Sequence, residues 1–233
     1  MRQPLVKPPL LAGPTLAGGT WLWQARLGDV EVRFTGRGST GDREAVLRSI
    51  ASSAPQLAWA KQVHSTVALP ARPGACGEGD ALFTEDAGLA LSVVTADCVP
   101  VLLAGPEGLA AIHAGWRGIA GGVVPATLEK IQGRLEDWTA WIGPAIGACC
   151  YEVSEDVAER VVAASGPGIA VSGPAGRPHL DLPGAVRLQL AKAGVGEVIV
   201  LPRCTRCDAE KLWSYRREGK KAGRNMGFIW RTA

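Results

Sequence analysis

Two imidazoles and a thiol are the side chains of this sequence best suited to chemistry. The chain holds only 3 His, and two of them close short apolar segments: His64 ends Trp59-Ala-Lys-Gln-Val-His64, and His113 ends Leu109-Ala-Ala-Ile-His113. Between them, Cys98 sits in Val94-Thr-Ala-Asp-Cys-Val-Pro-Val101. Each lies at the end of a predicted strand, where a rigid sheet can fix a side chain in a cleft. Two His and one Cys would bind Zn²⁺ and leave a fourth position for water, the arrangement of a catalytic zinc. The same residues also suit a Cys nucleophile with a His base. Satisfied histidines and a core thiol would leave the same trace. Spacing alone does not choose among the three.

Other groups carry weaker signals. Arg117 follows Gly115-Trp116 and can fork two N–H groups onto a phosphate, or simply stack on Trp116. Asp80, in Gly79-Asp-Ala-Leu82, can orient a histidine or serve a turn. Asp97 adjoins Cys98, but consecutive side chains of an extended strand point to opposite faces, so its carboxylate is assigned to backbone bonding. Cys204-Thr-Arg-Cys207 has redox or half-zinc spacing, without the second pair or thioredoxin-like context that would make it specific. Cys149 and Cys150 are read as packing residues, His179 as structural, and the 8 Trp as core, with Trp116 able to flank a base.

The elements that position these groups are mostly strands. Short apolar or alternating segments bounded by Gly, Pro or Asp predict strands at Glu31–Phe34, Leu57–Val63, Leu89–Ala96, Val99–Ala104, Leu109–His113, Trp138–Ile142, Glu197–Leu201 and Met226–Trp230. Helices are predicted at Gly41–Ser52, in the later half of Gly118–Leu135, at Ser154–Ala164 behind an N-cap serine, and at Leu182–Ala193 between Pro183 and Gly194. This order predicts an α+β fold with a mixed sheet and no phosphate-binding Gly loop. Residues 1–20 are read as an irregular Pro/Gly-rich lead-in and 21–233 as one catalytic domain.

Composition removes several function classes. The 233 residues are 47% hydrophobic and 20% charged, with a net charge of +3. A core is assured, and the basicity is too mild for a nucleic-acid-binding face. Six Cys in a chain this long are not a disulfide scaffold, so a reducing compartment, the cytoplasm, is expected. The N-terminus lacks the apolar stretch of a secretion signal. The nearly uncharged segment from Ala87 to Pro106 carries Asp97 and Pro100 in its middle, which predicts two buried strands and no membrane span.

The motifs also fall in a recognisable order. Lys61-Gln-Val-His64-Ser, Gly79-Asp-Ala-Leu82, Thr95-Ala-Asp-Cys-Val-Pro-Val-Leu102 and His113-Ala-Gly-Trp-Arg-Gly118 are followed by Trp141-Ile-Gly-Pro-Ala-Ile-Gly147 and Tyr151-Glu-Val153. Then come His179-Leu-Asp-Leu182, Arg203-Cys-Thr205, Ser214-Tyr-Arg-Arg-Glu-Gly219 and Gly223-Arg-Asn-Met226. Over roughly residues 30–231 the chain resembles the YfiH-like family of multicopper polyphenol oxidase or laccase-domain proteins, described as purine nucleoside phosphorylases that also deaminate adenosine. The resemblance implies an α+β sandwich of mixed sheets with outer helices. It also implies that His64, Cys98 and His113 are both the zinc ligands and the catalytic residues.

The substrates so implied are purine nucleosides (adenosine, inosine, methylthioadenosine) and phosphate, handled by a monomer. Phosphate would attack the ribose C1′, held by Arg37 and Arg117 beside Asp80. Zinc would activate water against C6 of adenosine. The sequence departs from the family near Phe34-Thr-Gly-Arg37-Gly-Ser39, where Arg37 stands in for the arginine of a Phe-Ser-Thr-Arg stretch. A following Leu-Asn-Leu-Gly-like segment is absent. The rival readings are a Cys–His hydrolase or amidase, a copper-dependent oxidase, for which the histidines are too few, and a cell-wall (peptidoglycan) quality-control protein.

Overall fold

Leu89–Thr95, Val99–Gly105 and Gly108–Ala114 are apolar at nearly every position because both of their faces are covered. In the computed structural model, which describes residues 10–38, 41–51, 55–174 and 176–232, these strands lie at the centre of two stacked sheets. The first sheet has 7 strands, in spatial order β1 (Ala12–Ala17), β2 (Thr20–Leu27), β3 (Val30–Thr35), β15 (Asn225–Arg231), β8 (Leu89–Thr95), β4 (Gln56–Lys61) and β6 (Gly74–Glu78). The second has 6: β14 (Glu197–Val200), β11 (Thr139–Ile142), β9 (Val99–Gly105), β10 (Gly108–Ala114), β7 (Ala81–Thr84) and β5 (Ala68–Pro70). A ribbon of β12 (Ala170–Ser172) and β13 (Pro178–Leu180) stands apart. Both sheets mix parallel and antiparallel pairs: β4 runs parallel to β8, and β11 parallel to β14.

The period of two along each strand divides the core into three layers. Between the sheets lie Leu91 and Val93 of β8, Leu102 of β9, Ala111 of β10, Trp141 of β11 and Phe34 of β3. On the outer face of the second sheet, Val101, Leu103 and Ile112 pack against α2 (Trp116–Gly121), α3 (Val123–Leu128), α4 (Glu155–Ser165) and α5 (Leu182–Lys192). On the outer face of the first, Met226, Phe228 and Trp230 meet Val46 and Leu47 of α1 (Arg43–Ile50). The architecture is therefore α+β, a mixed-sheet sandwich with helices outside. No helix among the described residues is long and apolar enough to cross a membrane. The segment from Ala87 to Pro106 forms β8 and β9, one strand in each sheet, with the chain changing sheets across Ala96–Cys98.

Three expectations need correction. The lead-in contains β1, which pairs with β2 across Gly18-Gly19; these residues have φ of 55° and 79°, the positive values that a tight hairpin turn requires at both central positions. Residues 1–9 lie outside the described part. Helix occupies the earlier and not the later half of Gly118–Leu135: α2 and α3, separated by Gly122 (φ 92°), end at Leu128, and residues 129–134 are turn and loop. Ser154 does occupy the N-cap of α4, but its hydroxyl makes no capping bond, whereas Asp42 caps α1 by accepting from Glu44 and Ala45 N–H. A further one-turn helix, α6 (Tyr215–Glu218), starts at Ser214, whose hydroxyl accepts from Arg217 N–H.

The layer assignment predicts a contrast. Leu102→Ala, between the sheets, should cost about 2–5 kcal/mol in urea unfolding. Leu16→Ala, on exposed β1, should stay within about 0.5 kcal/mol of the parent. Equal costs would contradict the placement of the core.

Candidate active site

The site is assembled around Asp80, at the start of β7, whose side chain is fully buried. Its carboxylate accepts the backbone N–H groups of Val63 (3.2 Å), His64 (3.0 Å) and Ser65 (2.6 Å), together with the Ser65 hydroxyl (2.8 Å). It also lies 2.7 Å from Nδ1 of buried His113. Burial opposes ionisation of Asp80, but the hydrogen bonds from His113 and Ser65 outweigh it and hold the carboxyl well below the usual carboxylate range. An ionised carboxylate only accepts, so Nδ1 of His113 carries the hydrogen and Nε2 is left for other partners. Three successive amides converging on one carboxylate bend the chain after β4 so that His64 takes φ 61°.

His64 shares this left-handed backbone with Asp97 (φ 102°), and no other described non-glycine residue has it. Such conformations persist only where surrounding bonds over-determine them. At Asp97 those bonds come from the Thr205 hydroxyl and the Arg216 N–H, each 2.6 Å from a carboxylate oxygen. Asp97 is therefore a corner between sheets and not part of an extended strand, although its expected backbone bonding is present. The corner sets Cys98 at the head of β9. Its Sγ lies 3.7 Å from Nε2 of His64, and the His64 and His113 ring centroids are 4.9 Å apart. The ligand atoms of His64, Cys98 and His113 all fall within 4.8 Å of one another.

Gly115 completes the geometry by its size. A Cβ there would stand 2.8 Å from Cδ2 of His64 and 3.0 Å from Sγ of Cys98, while its φ of −77° is open to any residue. Burial alone would raise the Cys98 thiol, but hydrogen bonds and charge from His113 and His64 bring it down to about 6. Burial likewise opposes protonation of His113, and the Asp80 and Cys98 partners override it, raising the imidazole to about 9.

The three groups open onto a cleft of about 530 Å³. Arg117, Arg216 and Arg224 line it, together with Trp116, Tyr151 and Tyr215. Arg117 stacks 4.6 Å from the Trp116 ring centroid, so phosphate-fork and stacking roles are both open to it. Two residues expected to touch substrate stand elsewhere. Arg37 pairs with the Glu218 carboxylate, donates to the Leu212 carbonyl (3.2 Å) and stacks 3.9 Å over Trp213; it does not line the cleft. Asp80 sits behind His64 and His113 and positions them. Arg216 and Arg224 are not singled out by sequence reasoning, although both lie inside the Ser-Tyr-Arg-Arg and Gly-Arg-Asn motifs.

The cysteines also depart from expectation. Cys149 and Cys150 are not merely packing residues, and Cys204-Thr-Arg-Cys207 is not a lone pair, because the four thiols gather in one cluster. His179 stays outside it, its Nδ1 lying 2.6 Å from the Ala148 carbonyl. The two cysteine pairs are far apart in sequence, and the pairing of β11 with β14, continued by a bridge between Ala145 and Cys204, joins them.

Two outcomes follow from the hydrogen bonds. Asp80→Asn puts an amide donor among five donors and should cost about 2–4 kcal/mol in chemical unfolding. In metal-free protein, alkylation of Cys98, followed by peptide mapping, should rise with pH to a midpoint near 6. A midpoint near the free-thiol value of about 8.5 would show that the imidazoles do not hold the thiolate.

The family model described as multi-copper polyphenol oxidoreductase laccase matches residues 40–232. "Purine nucleoside phosphorylase YfiH" of Shigella flexneri is 37% identical over 177 residues, covering 74% of this chain and 72% of its own. "Purine nucleoside phosphorylase" of Deinococcus radiodurans is 40% identical over 193 residues, covering 81% and 75%. The crystal structure of YlmD from Geobacillus stearothermophilus superposes with a TM-score of 0.82 at 26% identity, over 97% of this chain and 100% of that one. A Neisseria meningitidis protein superposes with a TM-score of 0.79 at 29% identity, over 91% and 99%.

Proposed function

Because the chain belongs to the multi-copper polyphenol oxidoreductase laccase family, with relatives named purine nucleoside phosphorylase at 37% and 40% identity, we propose that it is a zinc-dependent purine nucleoside phosphorylase. The observation that carries this reading is the convergence of three arginines and the His64–Cys98–His113 set on one cleft. Arginine forks suit a phosphate dianion. The cleft falls within the size range of small-ligand sites, with aromatic rings able to take a base.

The donor set fits zinc. Two imidazoles and a thiol lie within 4.8 Å, and His113 is oriented by a carboxylate on its other ring nitrogen, as metal-bound histidines usually are. Zinc held by His64, Cys98 and His113 would supply Lewis acidity at a position left open by three protein ligands. Copper-dependent oxidation is the poorer fit, since the chain has 3 His in all.

In phosphorolysis, Arg117, Arg216 and Arg224 would hold phosphate and lower its charge repulsion as one of its oxygens attacks the ribose C1′. The C1′–N9 bond breaks with its electron pair going to the base, which takes up a proton, leaving ribose 1-phosphate. Burial chiefly, with the nearby Cys98 charge, pushes Tyr151 up to about 12, so it stays a phenol and a donor in the cleft wall. Adenosine and inosine are the proposed substrates, with methylthioadenosine fitting the same chemistry. Hydrolytic deamination of adenosine, water replacing the 6-amino group as ammonia leaves, is the proposed side activity.

The lowered Cys98 thiol beside His113 supports one alternative, a Cys–His hydrolase, and the two readings separate on phosphate. Ribose 1-phosphate should form from adenosine or inosine only when phosphate is supplied. Arg117→Ala should raise the phosphate KM about ten- to a hundredfold, and the nucleoside KM less. A rate indifferent to phosphate, with substrate-blocked alkylation of Cys98 in metal-loaded protein, would establish the hydrolase instead.

A further inference from the structure

The cleft chemistry leaves four thiols unused. The Sγ atoms of Cys149, Cys150, Cys204 and Cys207 all lie within 4.8 Å of one another, with Cys149–Cys207 at 3.6 Å and Cys150–Cys207 at 3.3 Å. None is in a disulfide. Four sulfurs tetrahedrally placed about 2.3 Å from one zinc ion would be about 3.8 Å apart. The two measured separations fall 0.2 and 0.5 Å short of that value, so a zinc ion fits with modest outward side-chain shifts. A multi-iron cluster, which needs its cysteines spread around a larger core, does not. Exposed Cys149 and Cys207 complete a set whose other two members are half-buried.

The surroundings suit thiolates. The N–H of Gly147 donates to Sγ of Cys204 at 3.4 Å. A Cβ on Gly147 would stand 3.4 Å from Sγ of Cys149 and 3.5 Å from Cβ of Cys204, so this residue packs directly against the cluster. Arg203 and Arg206 flank Cys204 and Cys207 in sequence and offset the net negative charge of four thiolates around a divalent ion.

The geometry points to a second metal site, a closed four-thiolate zinc centre formed by Cys149, Cys150, Cys204 and Cys207 that braces the cleft without taking part in its chemistry. It ties the loop after β11 to the loop after β14, already joined where Thr205 N–H donates to the Ala145 carbonyl at 3.0 Å. Two short paths lead from it to the cleft. Tyr151 directly follows Cys150 and lines the wall. Thr205, beside Cys204, holds Asp97, which in turn fixes the backbone of Arg216. With four protein ligands the ion keeps no open position, so its role is structural.

The test is metal content by elemental analysis of protein purified under reducing conditions with zinc, beside the absorption of cobalt-substituted protein. Wild type should carry two zinc ions per chain. Cys204→Ser with Cys207→Ser should lose one, and His64→Ala with His113→Ala should lose the other and keep this one. The thiolate-to-cobalt band of the histidine variant should be about four times that of the serine variant, because it scales with the number of bound thiolates. The wild-type and histidine-variant measurements decide the matter even if the serine variant does not fold. Iron in place of zinc, a disulfide among the four cysteines in freshly reduced protein, or a histidine variant without metal and without the four-thiolate spectrum would overturn the assignment. Loss of metal at the histidine site alone would leave this one standing.

Discussion

The carboxylate of Asp80 is the constraint on which the site depends. A buried charge is tolerable only when its lone pairs are taken up, and here the backbone after β4, the Ser65 hydroxyl and the His113 ring take them up together. The same bonds that stabilise the charge set His64 in its left-handed conformation and fix which nitrogen of His113 faces the cleft. Two imidazoles from different sheets are thereby registered to each other through one side chain that does not line the cleft.

The sandwich explains why such a carboxylate can be buried at all. β4 and β8 belong to the first sheet, and β7, β9 and β10 to the second. The chemistry gathers at one end, where the chain leaves one sheet for the other. Asp97 turns that corner and Gly115 leaves it room. The strained backbone at His64 and Asp97 is confined to this end, where hydrogen bonds to Asp80, Thr205 and Arg216 replace regular pairing. The helices that cover the second sheet also supply Trp116 and Arg117, so one packed layer carries both core and cleft wall.

Much of this was legible because the informative residues sit at strand ends. His64, Cys98 and His113 each close or open an apolar run, and the runs themselves stand out because their strands are buried on both faces. The hairpin at Gly18-Gly19 also had a signal, obscured by the prolines around it. Arg37 misled because a guanidinium near a glycine-rich turn looks the same whether it meets phosphate or, as here, Glu218 and Trp213. Arg216 and Arg224 reach the cleft from the segment that follows β14, a tertiary arrangement that no local pattern encodes. The cysteine cluster was hidden for the same reason: α4 and α5 lie between its halves in sequence, and the pairing of β11 with β14, with the loop bonds that continue it, closes the distance.

The most direct measurement is anomalous diffraction at the zinc edge from crystals grown with zinc under reducing conditions. The account predicts a peak bonded by His64, Cys98 and His113, with the Asp80 carboxylate on the far ring nitrogen of His113. Density for a free Cys98 thiol, with no peak between the two histidines, would contradict it.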